Sequence, residues 1–95
     1  MAYLWARDRD DARRVTARFF FVSGGSVLED PATGSACANL GGWMIATGAP
    51  LPLRLEIRQG EAVKRPSILN LEVNEAKEVF VAGAVVELGR GTLRL

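Results

Sequence analysis

From Pro31 to Leu53 the chain carries no charged side chain, and this segment limits the fold more than any other feature. A membrane-crossing helix needs about 20 consecutive apolar residues. Asn39, Gly41, Gly42, Gly48, Pro50 and Pro52 interrupt the run, which leaves a helical part of about 14–17 residues, too short to span. A helix that is apolar on every side is otherwise one enclosed by protein. The pattern therefore predicts a central buried helix over Pro31–Thr47, closed by Gly48 as a C-cap and by Pro50. Gly34, Ala36, Ala38, Gly41 and Gly42 would let neighbouring backbone come close. Glycine inside a helix costs about 1 kcal/mol against alanine, so the Gly41-Gly42 pair points to tight packing there.

The rest reads as strands. Ala2–Ala6 is a short one, followed by a solvated turn of mixed charge from Arg7 to Arg14. Val15–Val22, with Phe19-Phe20-Phe21, reads as a buried strand ended by Gly24-Gly25. Leu53, Leu55 and Ile57 alternate with Arg54, Glu56 and Arg58, which predicts a half-buried strand. Gln59-Gly60-Glu61 turns, and Ser67–Asn74, Glu78–Leu88 and Thr92–Leu95 are further strands. Five or six strands curving around one apolar helix make an α+β fold, and 95 residues make one domain.

Composition narrows the chemistry. Twelve basic and eleven acidic residues leave a net charge of +1, which argues against nucleic acid and against electrostatic membrane docking. There is no histidine, so no Ser–His–Asp triad or Cys–His pair can form. The single cysteine, Cys37, cannot build a disulfide within the chain or a Cys-rich metal site, and it reads as a small buried thiol. No signal peptide is evident, so the cytoplasm is the expected compartment. Any catalysis falls to carboxylates, hydroxyls and backbone N–H groups.

Those groups gather in Ser23–Ala36. Asp30-Pro31 has the form of a helix start, with Asp as N-cap and Pro at the first helical position. Thr33, Gly34 and Ser35 behind it, and Gly24-Gly25 ahead of it, are more than a cap requires. Small residues at a helix N-terminus leave N–H groups open, and with the helix dipole they suit a carboxylate or phosphate. Asp30 could hold a proton at such a mouth, and Ser35 could donate to a bound anion.

The string "FVSGGSVLEDPATGSACANLGGWM" closely resembles the motif of the PhzF-like (phenazine-biosynthesis) isomerase family, which shares the diaminopimelate-epimerase fold. The ending, "RQGEAVKRPSILNLEVNEAKEVFVAGAVVELGRGTLRL", is also similar to that family's, and the resemblance runs from about Ala17 to Leu95. It implies a β-barrel around a central helix, one of two such domains with the active site between them. It implies a proton moved on a small cyclic carboxylate, trans-2,3-dihydro-3-hydroxyanthranilate in the best-known member, with no metal and no organic cofactor. Asp30 and Ser35 fall on the motif positions that line that site as its catalytic residues, with Gly25, Thr33, Gly34, Ser35 and Ala36 as the substrate- or anion-binding set. The family's general-base Glu belongs to the first domain and has no counterpart here, and Glu29 does not stand in for it. Family members are much longer, so the chain corresponds to the later part of the second domain, an incomplete barrel. An incomplete barrel exposes strand edges and one side of its helix, which predicts self-association as a dimer or a separately encoded N-terminal half as partner. A non-catalytic remnant or small-anion-binding module is the other function class this pattern allows.

Overall fold

The alternation of Leu53, Leu55 and Ile57 with charged residues builds the centre of the molecule. In the computed structural model, which describes all 95 residues, this segment is strand β4 (Leu53–Gln59). It lies between β2 (Arg14–Ser23) and β5 (Ser67–Val73), with β1 (Ala2–Arg7) outside β2 and β6 (Val79–Gly83) outside β5. A further strand, β3 (Ser26–Asp30), pairs with the far half of β2. All pairings are antiparallel except β2 with β4, which is parallel because the single helix, α1 (Gly34–Ala46), lies in the connection between them.

The helix lies across one face of this sheet. Cys37, Leu40 and Met44 pack with Val15, Ala17, Leu55, Ile57, Leu69 and Leu71 into one core. A Cβ on Gly41 would stand 2.9 Å from Val79 Cγ1 and 3.1 Å from Leu71 Cδ1, so this glycine lets the helix settle onto β5 and β6. Gly42 faces open space, so only one member of the pair has the packing role. No helix is long and apolar enough to cross a membrane.

Four expectations change. The helix starts at Gly34 rather than Pro31, because Pro31–Thr33 first has to turn the chain away from the end of β3. It is not enclosed: Trp43 is 51% exposed, Ser35 and Asn39 on the same side are exposed, and that side meets the sheet only across a groove where Trp43 touches Trp5 of β1. The segment after Gly24-Gly25 is a strand rather than a helix mouth, since both glycines take positive φ (59° and 77°) and close a two-residue hairpin. The chain from Ala84 to Leu95 forms no strand. Gly83 pairs with Leu69, and β5 begins at Ser67, so the neighbour that β6 would follow runs out two residues further on. Without a partner the backbone groups beyond that point gain nothing from extending the ladder. The sheet is open, with the outer edges of β1 and β6 unpaired.

Candidate functional site

The site forms where two strands meet end to end on one edge of β2. Arg14–Ala17 pair with Glu56–Gln59 of β4, and Phe19–Ser23 pair with Ser26–Asp30 of β3. β4 runs parallel to β2 and β3 antiparallel to it, so the two strands converge and stop on either side of Arg18. Asp30 ends one and Gln59 ends the other. The helix begins directly above this junction.

Gln59 continues the inward series Leu53, Leu55, Ile57 and is 1% exposed. A buried amide needs partners for all its polar atoms. Nε2 donates to the Asp30 carbonyl (2.8 Å) and to Thr33 Oγ1 (2.9 Å), while Oε1 accepts from the Thr33 N–H (3.3 Å). Thr33 Oγ1 donates in turn to Asp30 Oδ2 at 2.6 Å. Gly60 (φ 89°) presses against this loop, and a Cβ there would lie 2.6 Å from the Pro31 carbonyl oxygen. The Pro31–Thr33 turn is thus clamped from below.

Asp30 is not the N-cap. Thr33 occupies that position (φ −124°, ψ 94°) and spends its hydroxyl on Asp30 rather than on the helix. The first intrahelical bond is Cys37 N–H to the Thr33 carbonyl (3.1 Å), and no protein group accepts from the N–H groups of Gly34, Ser35 and Ala36. These donors, in the first turn after the Asp30–Thr33 link, are left without a protein partner. A Cβ on Gly34 would meet nothing within 4 Å, so the approach to them is clear.

Ser35 lies in the first turn of α1, exposed, at one end of an apolar groove of about 400 Å³ between the helix and β1–β2. Tyr3, Trp5, Phe19 and Trp43 supply its walls, with Trp5 edge-on to Trp43 at 5.3 Å between ring centres. The Tyr3 hydroxyl is buried without a partner, and desolvation, with nearby Cys37 adding, pushes its pKa up to about 12. Burial likewise raises the Cys37 thiol to about 11, so it stays protonated, a small apolar filler beneath the helix.

The structure brings Asp30, Thr33, Gly34, Ser35 and Ala36 together at one helix end. It does not bring Gly25 there. That residue is at the tip of the β2–β3 hairpin, roughly 15 Å from Asp30 by strand rise. Glu29 faces the opposite side of the sheet, where its side chain is only 6% exposed and Oε1 takes Arg18 Nη2 at 2.6 Å. Arg18 also stacks over Phe20, 4.9 Å from its ring centre. Gln59 is the residue that sequence pattern missed. Its signal was available, since it extends the Leu53, Leu55, Ile57 alternation by one inward step. No group of three or more His, Cys, Asp or Glu side chains gathers in a way that could hold a metal ion.

A profile of the phenazine biosynthesis-like proteins (PhzC-PhzF) matches residues 3–91. The chain belongs to this family. It is 44% identical over 91 residues to an uncharacterized isomerase of Pasteurella multocida. That alignment takes in 96% of this chain and 30% of the relative's length. No solved structure matches the chain. The matched region contains every residue of the junction between β3, β4 and α1.

Proposed function

We propose that the chain supplies one side of the active site of a PhzF-like isomerase or epimerase, which moves a proton on a small cyclic carboxylate without metal or organic cofactor. The observation that carries this is Asp30, held by Thr33 and Gln59 just ahead of a helix N-terminus whose first three N–H groups have no protein partner. The N–H groups of Gly34, Ser35 and Ala36 and the Ser35 hydroxyl would hold the substrate's anionic group. Asp30 would hand over or collect the proton beside it. Family membership and the relative's description as an isomerase support the reaction class. The open sheet around one helix fits part of a diaminopimelate-epimerase-like barrel.

Proton transfer at carbon needs a second group facing Asp30. Glu29 is on the other face, and the chain has no histidine. The second group would come from a second copy or from a separately encoded half, docked over the exposed helix side with Ser35 and Trp43. That same lack of a facing group favours, as a second reading, a module that binds small anions without turning them over.

Solvent-deuterium incorporation into trans-2,3-dihydro-3-hydroxyanthranilate, followed by mass spectrometry, separates the two readings. Catalysis predicts incorporation above background by the native chain and its loss in Asp30→Asn. Background incorporation by both proteins, also with a PhzF-like first domain added, favours the binding module.

A further inference from the structure

Every proton in the hydrogen bonds between Gln59, Thr33 and Asp30 can be assigned. The Asp30 carbonyl can only accept, so the Gln59 atom 2.8 Å from it is the amide nitrogen. The Thr33 N–H can only donate, so the Gln59 atom at 3.3 Å is the amide oxygen. The two Nε2 hydrogens then go to the Asp30 carbonyl and to Thr33 Oγ1. The Thr33 hydroxyl accepts on one side, and its single proton is left for Asp30 Oδ2. No other acceptor is in reach of that proton, and Thr33 is 8% exposed, so water is a poor substitute. A proton on Oδ2 would turn the Thr33 hydroxyl toward nothing, so Oδ2 is kept as an acceptor. Oδ1 accepts no hydrogen bond from the protein and is not among the buried unpartnered atoms, so it is open to solvent.

We infer that Gln59 is a positioning residue: through Thr33 it fixes Asp30 Oδ2 as an acceptor and leaves Oδ1 as the oxygen that exchanges a proton with bound substrate. This rests on the reading that Asp30 handles a proton, but the relay has a signature of its own. The chain from buried amide to hydroxyl to carboxyl sets which oxygen is free and which way it faces. Because Gln59 ends β4 and Asp30 ends β3, the relay also ties that orientation to the sheet junction.

The test has two arms on the full chain. Proton NMR should show a Thr33 hydroxyl resonance in slow exchange with solvent, close to the Gln59 amide hydrogens. Asp30→Ala, which removes the hydroxyl's acceptor, should speed that exchange by about tenfold, the loss of one buried hydrogen bond, and Gln59→Leu, which removes three, should speed it at least as much. Equal exchange rates in native protein and Asp30→Ala would overturn the assignment. In the deuterium-incorporation assay, Thr33→Val, which keeps the backbone bonds and the side-chain shape, should lower kcat by about three- to tenfold with KM little changed. Thr33→Ser should restore it. A Thr33→Val rate equal to native, in conditions where Asp30→Asn is inactive, would sink the relay while leaving the role of Asp30 intact. If neither the chain alone nor the chain with a PhzF-like first domain added shows incorporation, the isomerase reading fails and the hydroxyl exchange alone decides the relay.

Discussion

Strand β4 and the segment from Ala84 to Leu95 are similar in composition, with branched aliphatic residues beside Arg and Glu, and they end up in opposite states. In β4 the odd-numbered residues Leu55, Ile57 and Gln59 are buried, because β2 and β5 flank the strand and α1 covers one face. In the later segment Val85, Val86, Leu88, Leu93 and Leu95 are each more than 80% exposed. Apolar content is alike in the two, and what differs is the neighbour. A strand alternation is a statement about a surface that must be supplied by something else.

The largest effect expected from this contrast is at Ile57. It is 0% exposed at the centre of the core, so Ile57→Ala should cost about 2–5 kcal/mol in denaturant-unfolding measurements. A loss below about 1 kcal/mol would mean that the core is looser than a packed interior. Next comes Gly60→Ala, where a positive φ and the Pro31 carbonyl both oppose a Cβ. The backbone contribution alone should be about 1–3 kcal/mol, and the clash adds to it. Because the loop it presses on holds Thr33, the slow Thr33 hydroxyl signal should be lost in the same variant.

The alkaline limb of stability should be smaller but distinct. The Cys37 thiol titrates near 9 when unfolded and near 11 when folded. The unfolded chain loses this proton first, so the contribution is whole below about pH 9 and disappears as pH rises toward 11. Tyr3, raised from 10.0 to about 12, extends the loss in the same direction. Thermal unfolding of Cys37→Ala should therefore be flatter than native between those pH values. The smallest effect is at Leu93, 89% exposed, where Leu93→Ala should change folding stability by less than about 0.5 kcal/mol. Light scattering gives that position its second measurement. If the exposed segment covers an apolar surface of another chain, Leu93→Ala lowers the apparent mass at micromolar concentration even though folding is untouched.

Much of this was legible without coordinates. The strands expected at Ala2–Ala6, Val15–Val22, Leu53–Arg58 and Ser67–Asn74 match β1, β2, β4 and β5 to within one residue at each end, because apolar and β-branched runs and period-two alternation depend on residues a few positions apart. The helix was legible in kind, and its first turn was misplaced. Asp30-Pro31 has the chemistry of a cap, yet Asp30 closes β3, and its carboxyl is taken by Thr33. Local preference for a helix start lost to strand pairing with Phe19. β3 itself was hidden because Ser26–Asp30 is short and mostly exposed, and only the Gly24-Gly25 turn betrays it.

Within the candidate site, Asp30, Thr33, Gly34, Ser35 and Ala36 are close in sequence and so were bound to be close in space. Gly25 was read with them on the same ground and went elsewhere, because a strand carries five residues far where a turn would have kept them near. Gln59 lies 26 positions beyond Thr33, and no local rule couples them. The sequence by itself determined a family, an α+β composition, an uncharged helix and a set of reactive groups without histidine. Only the tertiary structure decided that two strands would stop against each other on β2, that a buried amide would orient the Asp30 carboxyl between them, and that one side of the helix would stay open. The physical reason is that propensity and alternation act over a few residues, whereas a hydrogen bond between two strand ends exists only once a third strand has brought them together.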